Sequence, residues 1–504
     1  MKNKHFLFLI ISINLLSCQN STPPFNKHIK VGIEQKIKTL NPLKATAALD
    51  MRLNDLLFSS LVRLDKNLRV VGDLAKSWTY KNNTYTFLLK DNIRFSNGRP
   101  LTKEDLLFSF QAFKDPKCIF HHAFSVIKKI SVHKNKKTQR WLVKLFLKKS
   151  SAKFLRADLP VLKILPKQEF LKNKNLFNQK PIGTGSYYIN TIKPNAIDLK
   201  PNPHSLEPGK TALLFKVVSD NTTRYQKLLK QDIDISFNNT ETIKVKALQK
   251  NLNFKIHTSP GLSVTYLLLN LKHPLLSKIS VRKALQSSLN IKKIIQYKLQ
   301  GLATPAKSLL HPKHLFFNTY LKTTNFDLKK AKDFLHSIDL KPLTLKVSNK
   351  PSSINFGKIL TQQIKQSGIP VTVKSLEWGV LYKDLKNTNF DIALMSWSGV
   401  IDPDIYRIAF HSSEWPPGRN RSLYKNKILD KLLEQGIYTL NLAQRKKIYN
   451  KVQSIIAQDV AVIPLWHKKQ TIISHKSILG LSPSLTESFS PLKKVYKATN
   501  LKAP

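Results

Sequence analysis

The chain has 504 residues, 41% of them apolar, and a formal charge of +54 from 84 Lys and Arg against 30 Asp and Glu. One core organises roughly 100–200 residues, so this length predicts two or three domains, and 15 glycines without a Gly/Ser-rich run exclude beads on flexible linkers. The lysines are spread singly and in pairs (Lys128-Lys129, Lys292-Lys293, Lys446-Lys447) with no basic arm, zinc-finger spacing or aromatic-basic signature, which excludes a dedicated nucleic-acid reader. The field still favours acidic ligands, anionic lipid or polyanionic surfaces.

Lys2 and Lys4 precede the apolar run Phe6 to Leu16, too short for a bilayer span of about 20 residues but suited to a signal-peptide core. It ends Leu15-Leu16-Ser17-Cys18, which resembles a bacterial lipobox, with Leu at the second position a mild departure. Residues 1–17 are therefore expected to be a signal peptide, Cys18 the lipidated residue and 18–24 a membrane-tethered stalk. Cys118 is the other cysteine. With Cys18 lipidated it has no intramolecular partner, and the exported body must rely on its core instead of disulfides.

In chain order, Ile29–Ile33 alternates as a strand, and Asn41-Pro42 turns into a helix carrying Leu53, Leu56, Leu57 and Leu61. Tyr85–Leu89 is a β-branched and aromatic run, Ser96-Asn97-Gly98 a tight turn, and Thr102 with Asp105 a capping-box-like start to a helix bearing Leu106, Phe110 and Phe113. Gly183-Thr-Gly185 reads as a turn, since it lacks the third glycine of a dinucleotide fingerprint and the Gly-Lys-Ser/Thr of a phosphate loop. A helix at Tyr225, Leu228 and Leu229 runs into a strand at Ile233, and Val264–Asn270 is a further strand. Ser280 is expected to cap a helix from Val281 to Leu289, Asn290 a second from Ile291 to Leu299 closed by Gly301, and Asp327 a third. Ile354–Gln366 precedes a strand at Ile369, and strands at Phe390 and Val460 follow, giving a large α/β (mixed α+β) protein.

The ordered set "YTFLLKDNIRFSNGRPLTKEDLLFSF", "PIGTGSYYI", "VTYLLLNLKHPLLSKISVRKALQSSLN", "GLATPAKSLL", "FDLKKAKDFL", "FDIALMSWSGVIDPDIY" and "VAVIPLW" covers nearly the whole mature chain. It resembles the family 5 bacterial extracellular solute-binding proteins, the oligopeptide-, dipeptide- and nickel-binding components of ABC importers. The resemblance implies a two-lobed periplasmic-binding-protein fold with a hinge and an interlobe cleft. Lobe 1 would join 25–45, 183–258 and 470–504 to an extra subdomain of 46–182, and lobe 2 would span 259–469. It also implies capture of an oligopeptide or peptide-like solute, delivery to an ABC permease in the inner membrane, a monomer anchored in the cell envelope, and neither cofactor nor catalysis.

Trp397 matches the family tryptophan near the cleft, followed by Ser398, while Tyr266 and Asn270 lie on the strand entering lobe 2, and Lys36 and Lys38 lie in the loop before Asn41-Pro42. In peptide-binding members an aspartate shortly after this tryptophan holds the ligand's α-ammonium; the matching position here is Val400, with Asp402 downstream as a substitute. An ammonium buried without a carboxylate is costly, so an N-blocked, murein-derived or acidic ligand is the expected consequence. Two rivals follow from the residues: metal capture by His121-His122 beside Cys118, against which adjacent His side chains on a helix diverge, and polyanion binding driven by the charge. No nucleophile elbow, His-Glu-x-x-His or paired-carboxylate context supports an enzyme.

Overall fold

The computed structural model describes residues 28–237 and 240–498; Cys18, the expected leader and the stalk lie outside the described residues. No helix among the described residues is long and apolar enough to cross a membrane.

Three large sheets organise the chain. A seven-stranded mixed sheet runs in the order Phe254–Ser259, Gln470–His475, Ile235–Phe237, His28–Ile33, Ala212–Val217, Ala196–Pro201, Tyr187–Lys193. His28–Ile33 pairs in parallel with both neighbours, and its alternate residues Ile29, Val31 and Ile33 are buried, as a strand at the centre of a sheet requires. A four-stranded antiparallel sheet, Ala75–Lys81, Thr84–Leu89, Trp141–Leu147, Ile127–Lys134, shares one continuous core with it, from Ile29 through Phe87 and Phe110 to Val495. A six-stranded sheet, Ala303–Pro305, Val462–Lys468, Val264–Leu269, Ile392–Trp397, Leu343–Ser348, Val371–Leu376, makes the second lobe, and separate apolar clusters pack around it.

The chain passes between the seven- and six-stranded sheets twice, from Ser259 to Val264 and from Lys468 to Gln470. The two passages lie against one another: a Cβ on Gly261 would sit 2.0 Å from the Lys468 carbonyl oxygen, so only glycine permits this approach. Lys469 N–H donates to the Leu302 carbonyl at 2.9 Å, tying the passage to lobe 2.

The capped corner forms as its residues dictate. Thr102 Oγ1 accepts from Asp105 N–H at 3.3 Å and Asp105 Oδ2 from Thr102 N–H at 2.9 Å, a reciprocal box at the start of Lys103–Lys114, the kind of cap that stabilises a helix by about 1 kcal/mol. Arg99 then clamps Asp105 and Glu169, drawing the turn onto the helix Lys167–Lys172. Gly183 and Gly185 are likewise structural: Cβ atoms there would lie 2.1 and 2.4 Å from the carbonyl oxygens of Leu57 and Leu56, at the end of the helix Ala48–Leu57. Asn290 and Asp327 cap as expected, accepting from Lys293 and Lys330 N–H. Ser280 does not; the helix begins at Ile279 after Lys278. There the Arg282 guanidinium donates to the carbonyls of Leu276, Ser277 and Asp459, and these bonds fix the first turn instead of a side-chain cap.

Candidate functional site

A cavity of about 340 Å³ lies between the lobes, a volume within the range of small-ligand sites, about 300–1,000 Å³. Lobe 1 supplies Arg52, Asp55 and Phe58 from the helix Ala48–Leu57 and its exit, Arg156 to Lys163 from the segment around Phe154–Asp158, and Thr486 to Lys493 from the chain's return. Lobe 2 supplies Ser398, Gly399 and Ile401, just past the end of Ile392–Trp397. Helices and strand ends hold part of the lining, and loops around Pro42, Ser398 and Glu487 hold the rest. A larger groove of about 1180 Å³ lies within lobe 2 around Gln286, Tyr320 and Ser454; lobe closure does not shape it, which makes the interlobe cavity the candidate site.

The polar lining is largely paired. Arg52 contacts Glu487, whose Oε1 also accepts from Ser263 Oγ at 2.9 Å, and the same hydroxyl receives Gly399 N–H at 3.2 Å. Ser263, on the passage between lobes, therefore joins the lobe-2 loop to the lobe-1 wall. Lys163 is buried and donates to Asp55 Oδ1 at 2.8 Å, Ser60 Oγ at 3.2 Å and the Pro160 carbonyl at 3.0 Å. Arg63 pairs with Glu207 at 3.1 Å and lies 3.8 Å from Asp73. Burial lowers the Lys493 ammonium against the pull of Asp73 and Glu207.

The lobes also touch beside the cavity. Lys153 Nζ lies 3.7 Å from Asp158 in its own lobe and 3.5 Å from Asp404 in the other. Burial lowers its pKa, but the two carboxylates outweigh burial and raise it. Ala152 N–H donates to the Ile437 carbonyl at 2.8 Å, and the Lys149 ammonium sits 4.7 Å above the Tyr438 ring.

The residues singled out in the sequence fall in different places. Ser398 lines the cavity. Trp397 is half-buried against the lobe-2 core and borders a small adjoining pocket with Tyr266, Arg419 and Arg421. Tyr266 is buried, and its phenol is held protonated by that burial. Asn270 lies outside the cleft, at the far end of Val264–Leu269, where its amide donates to the Thr388 and Phe390 carbonyls and closes the strand's exit. Lys36 and Lys38 are exposed; their loop reaches the cleft through Pro42 and Ala45 instead. Val400 is buried in the lobe-2 core. Asp402 does not substitute for a carboxylate at that position: it is buried, and both oxygens are taken by Arg445, at 2.7 and 2.9 Å, because the turn Asp402-Pro403-Asp404 folds it into the core. Burial opposes its charge, yet Arg445 more than offsets burial and its pKa is lowered.

His121 and His122 do not converge with Cys118. His121 Nδ1 faces the Lys114 carbonyl and Cys118 is buried; among the described residues no group of three or more His, Cys, Asp or Glu could hold a metal ion.

Sequence reasoning missed Arg52, Asp55, Arg156 and Glu487. In a chain with so few carboxylates, the lone acid in Leu485-Thr486-Glu487-Ser488 was the available signal.

Comparison with known proteins agrees with this architecture. A dipeptide-binding protein of Pseudomonas aeruginosa is 26% identical over 471 residues, 86% of this chain and 88% of its own length. The glutathione-binding protein GsiB of Shigella boydii is 26% identical over 479 residues, 90% of this chain and 91% of its own. The structure of the oligopeptide-binding protein AppA of Bacillus subtilis, in complex with a nonapeptide, superposes with a TM-score of 0.77 at 25% identity, over 94% of this chain and 99% of that one. Residues 69–416 match the family described as bacterial extracellular solute-binding proteins, family 5 (middle region), and the chain with its two-lobed fold belongs to that family.

Proposed function

We propose that this chain captures peptides or peptide-like solutes between its two lobes, delivers them to an ABC permease in the inner membrane and catalyses nothing itself. The observation that carries this reading is the cavity walled by both lobes, with the lobes in contact beside it; hinge closure over a ligand is the mechanism such a cavity serves. Names of the relatives support a peptide as the solute. The proposal includes lipid attachment at Cys18, a monomeric body, and a lobe 1 of 25–45, 183–258 and 470–504 with the extra subdomain 46–182, against a lobe 2 of 259–469.

Mechanistically, the solute enters the open cleft, makes polar contacts with the lobe-1 wall, and is enclosed when Ser398, Gly399 and Ile401 swing over it. Its differential contacts with the closed form are what shift the lobes. Val400 leaves the lobe-2 loop without a carboxylate for an α-ammonium, which favours ligands recognised by other groups.

The test is native mass spectrometry of the chain purified from cells, followed by release and sequencing of what it carries. Short peptides, bound one set per chain, are the expected result. A chain that carries none and ignores peptide libraries would overturn the reading and turn attention to murein fragments, metal chelates or polyanions.

A further inference from the structure

Five cationic side chains line the interlobe cavity: Arg52, Arg63, Arg156, Lys163 and Lys493. Four have their charge answered. Arg52 faces Glu487, Arg63 faces Glu207 and Asp73, and Lys163 faces Asp55. Lys493 lies in the field of Asp73, Glu207 and Asp55.

Arg156 differs. It projects from the lobe-1 segment Phe154–Asp158, its Nε is buried without a hydrogen-bond partner, and among the described residues no carboxylate lies within ion-pair distance of its guanidinium. The carboxylate that most affects it is Asp402, across the cleft. That group is spent: Arg445 holds both its oxygens and Asp404 N–H donates to Oδ1 at 3.0 Å. Arg445 is itself a cation that opposes Arg156, and burial lowers the Arg156 pKa without displacing its proton. A half-buried guanidinium in this setting carries a desolvation cost that the more distant carboxylates of Asp402 and Asp65 offset only in part.

We infer that Arg156 is the anchor for a carboxylate of the ligand. The inference rests on the peptide reading above and narrows it to peptides that present an anionic group to the lobe-1 wall. Arg presents a planar fork of donors that a carboxylate fills with two parallel bonds. The position also couples binding to closure. Lys153, three residues earlier, meets Asp404 only when the lobes meet, and Ile401 and Ser398 close over the same segment. A carboxylate on Arg156 is shielded from water in the closed form alone, so its charge-assisted bonds are strongest there. The carboxylate can come from the peptide's C-terminus or from an acidic side chain, and both offer the same chemistry.

The experiment presents the purified full chain with three pools of synthetic tripeptides and reads retention by mass spectrometry. One pool lacks Asp and Glu and has free C-terminal carboxylates; the second has the same sequences as C-terminal amides; the third is amidated but carries one Asp or Glu per peptide. Retention of the first or third pool over the second by at least about tenfold is expected, as for a hydrogen bond to a charged group, and which of the two prevails identifies the source. Arg156→Gln should bring that ratio to within about twofold, while Arg156→Lys keeps part of it. Thermal unfolding of the unliganded variants should show midpoints no lower than the parent's, since no protein ion pair is lost and Gln removes a buried charge. Equal retention of all pools by the parent, or a ratio unchanged in Arg156→Gln, overturns the anchor and leaves peptide capture standing. Retention of no pool overturns peptide capture and the anchor with it.

Discussion

Asp402 and Arg445 form a two-pronged pair inside lobe 2, Nη2 to Oδ1 at 2.7 Å and Nη1 to Oδ2 at 2.9 Å, with both side chains buried. Removing one partner of such a pair leaves the other charge unanswered in a poorly solvated place, at a cost of about 3–5 kcal/mol. Asp402→Asn is expected to lower the unfolding free energy by that amount in a denaturant titration. An Asp402 that instead held a ligand ammonium would lose affinity with its stability unchanged, so the two measurements together decide its role.

Lys153 reaches across to Asp404, and its side chain is 28% exposed against 5% for the carboxylate. Part of the attraction is screened by solvent, which leaves about 1 kcal/mol for the contact. Lys153→Met keeps the aliphatic stem and removes the charge. Calorimetric titration should show affinity reduced about fivefold, with small-angle scattering of the unliganded protein shifted toward a more open form. Unchanged affinity and scattering would mean that the pair is incidental to closure.

Beside it, Asp158 is raised from its ordinary 3.8 to about 6, by burial first and then by the carboxylates of Asp402 and Asp404, against the pull of Lys153. The folded state therefore keeps a proton that the unfolded chain has released, and this residue's contribution to stability falls as pH rises from about 4 to about 6. Asp158→Asn removes that dependence. The variant should be more stable than the parent by up to about 3 kcal/mol at neutral pH, and the difference should vanish near pH 4. A difference independent of pH would show that Asp158 titrates normally.

At the hinge, Gly261→Ala brings a methyl to within 2.0 Å of the Lys468 carbonyl oxygen. Backbone faces backbone there, so the two passages must separate. A loss of about 1–3 kcal/mol is expected, the usual penalty for overpacking, read as a lowered thermal midpoint. A midpoint equal to the parent's would show the passages to be pliant.

Trp397→Ala should weaken ligand binding at least about tenfold while leaving the fold intact, because the ring is only half committed to the lobe-2 core. Affinity equal to the parent's would remove Trp397 from the site.

What the sequence disclosed was what is local. The box of Thr102 and Asp105, the caps Asn290 and Asp327, and the strand at Ile29 depend on residues a few positions apart, and the structure has them as read. Helical spacing places Leu61 with the helix, yet that helix stops at Leu57, where Gly183 and Gly185 approach its last carbonyls. Ser280 was misread for the same kind of reason: the start of its helix is set by Arg282 reaching Asp459, a bond over 177 positions.

The cleft was the least legible part. Its walls come from Pro42 to Asp73, Arg156 to Lys163, Ser398 to Ile401 and Thr486 to Lys493, and no periodicity connects such segments. Asp402 illustrates the difficulty. The family resemblance offered it as a substitute binding carboxylate, and only the fold reveals that Arg445 already occupies it.

The strand Gln470–His475 lies inside the seven-stranded sheet, between Phe254–Ser259 and Ile235–Phe237, and the residues after it carry Glu487 and Lys493 to the cavity wall. The segment after the second passage thus completes both the first lobe's sheet and the cleft. The strands of lobe 2 all lie between the two passages, so that lobe is one uninterrupted stretch of chain, whereas lobe 1 closes its sheet only with residues from both sides of it.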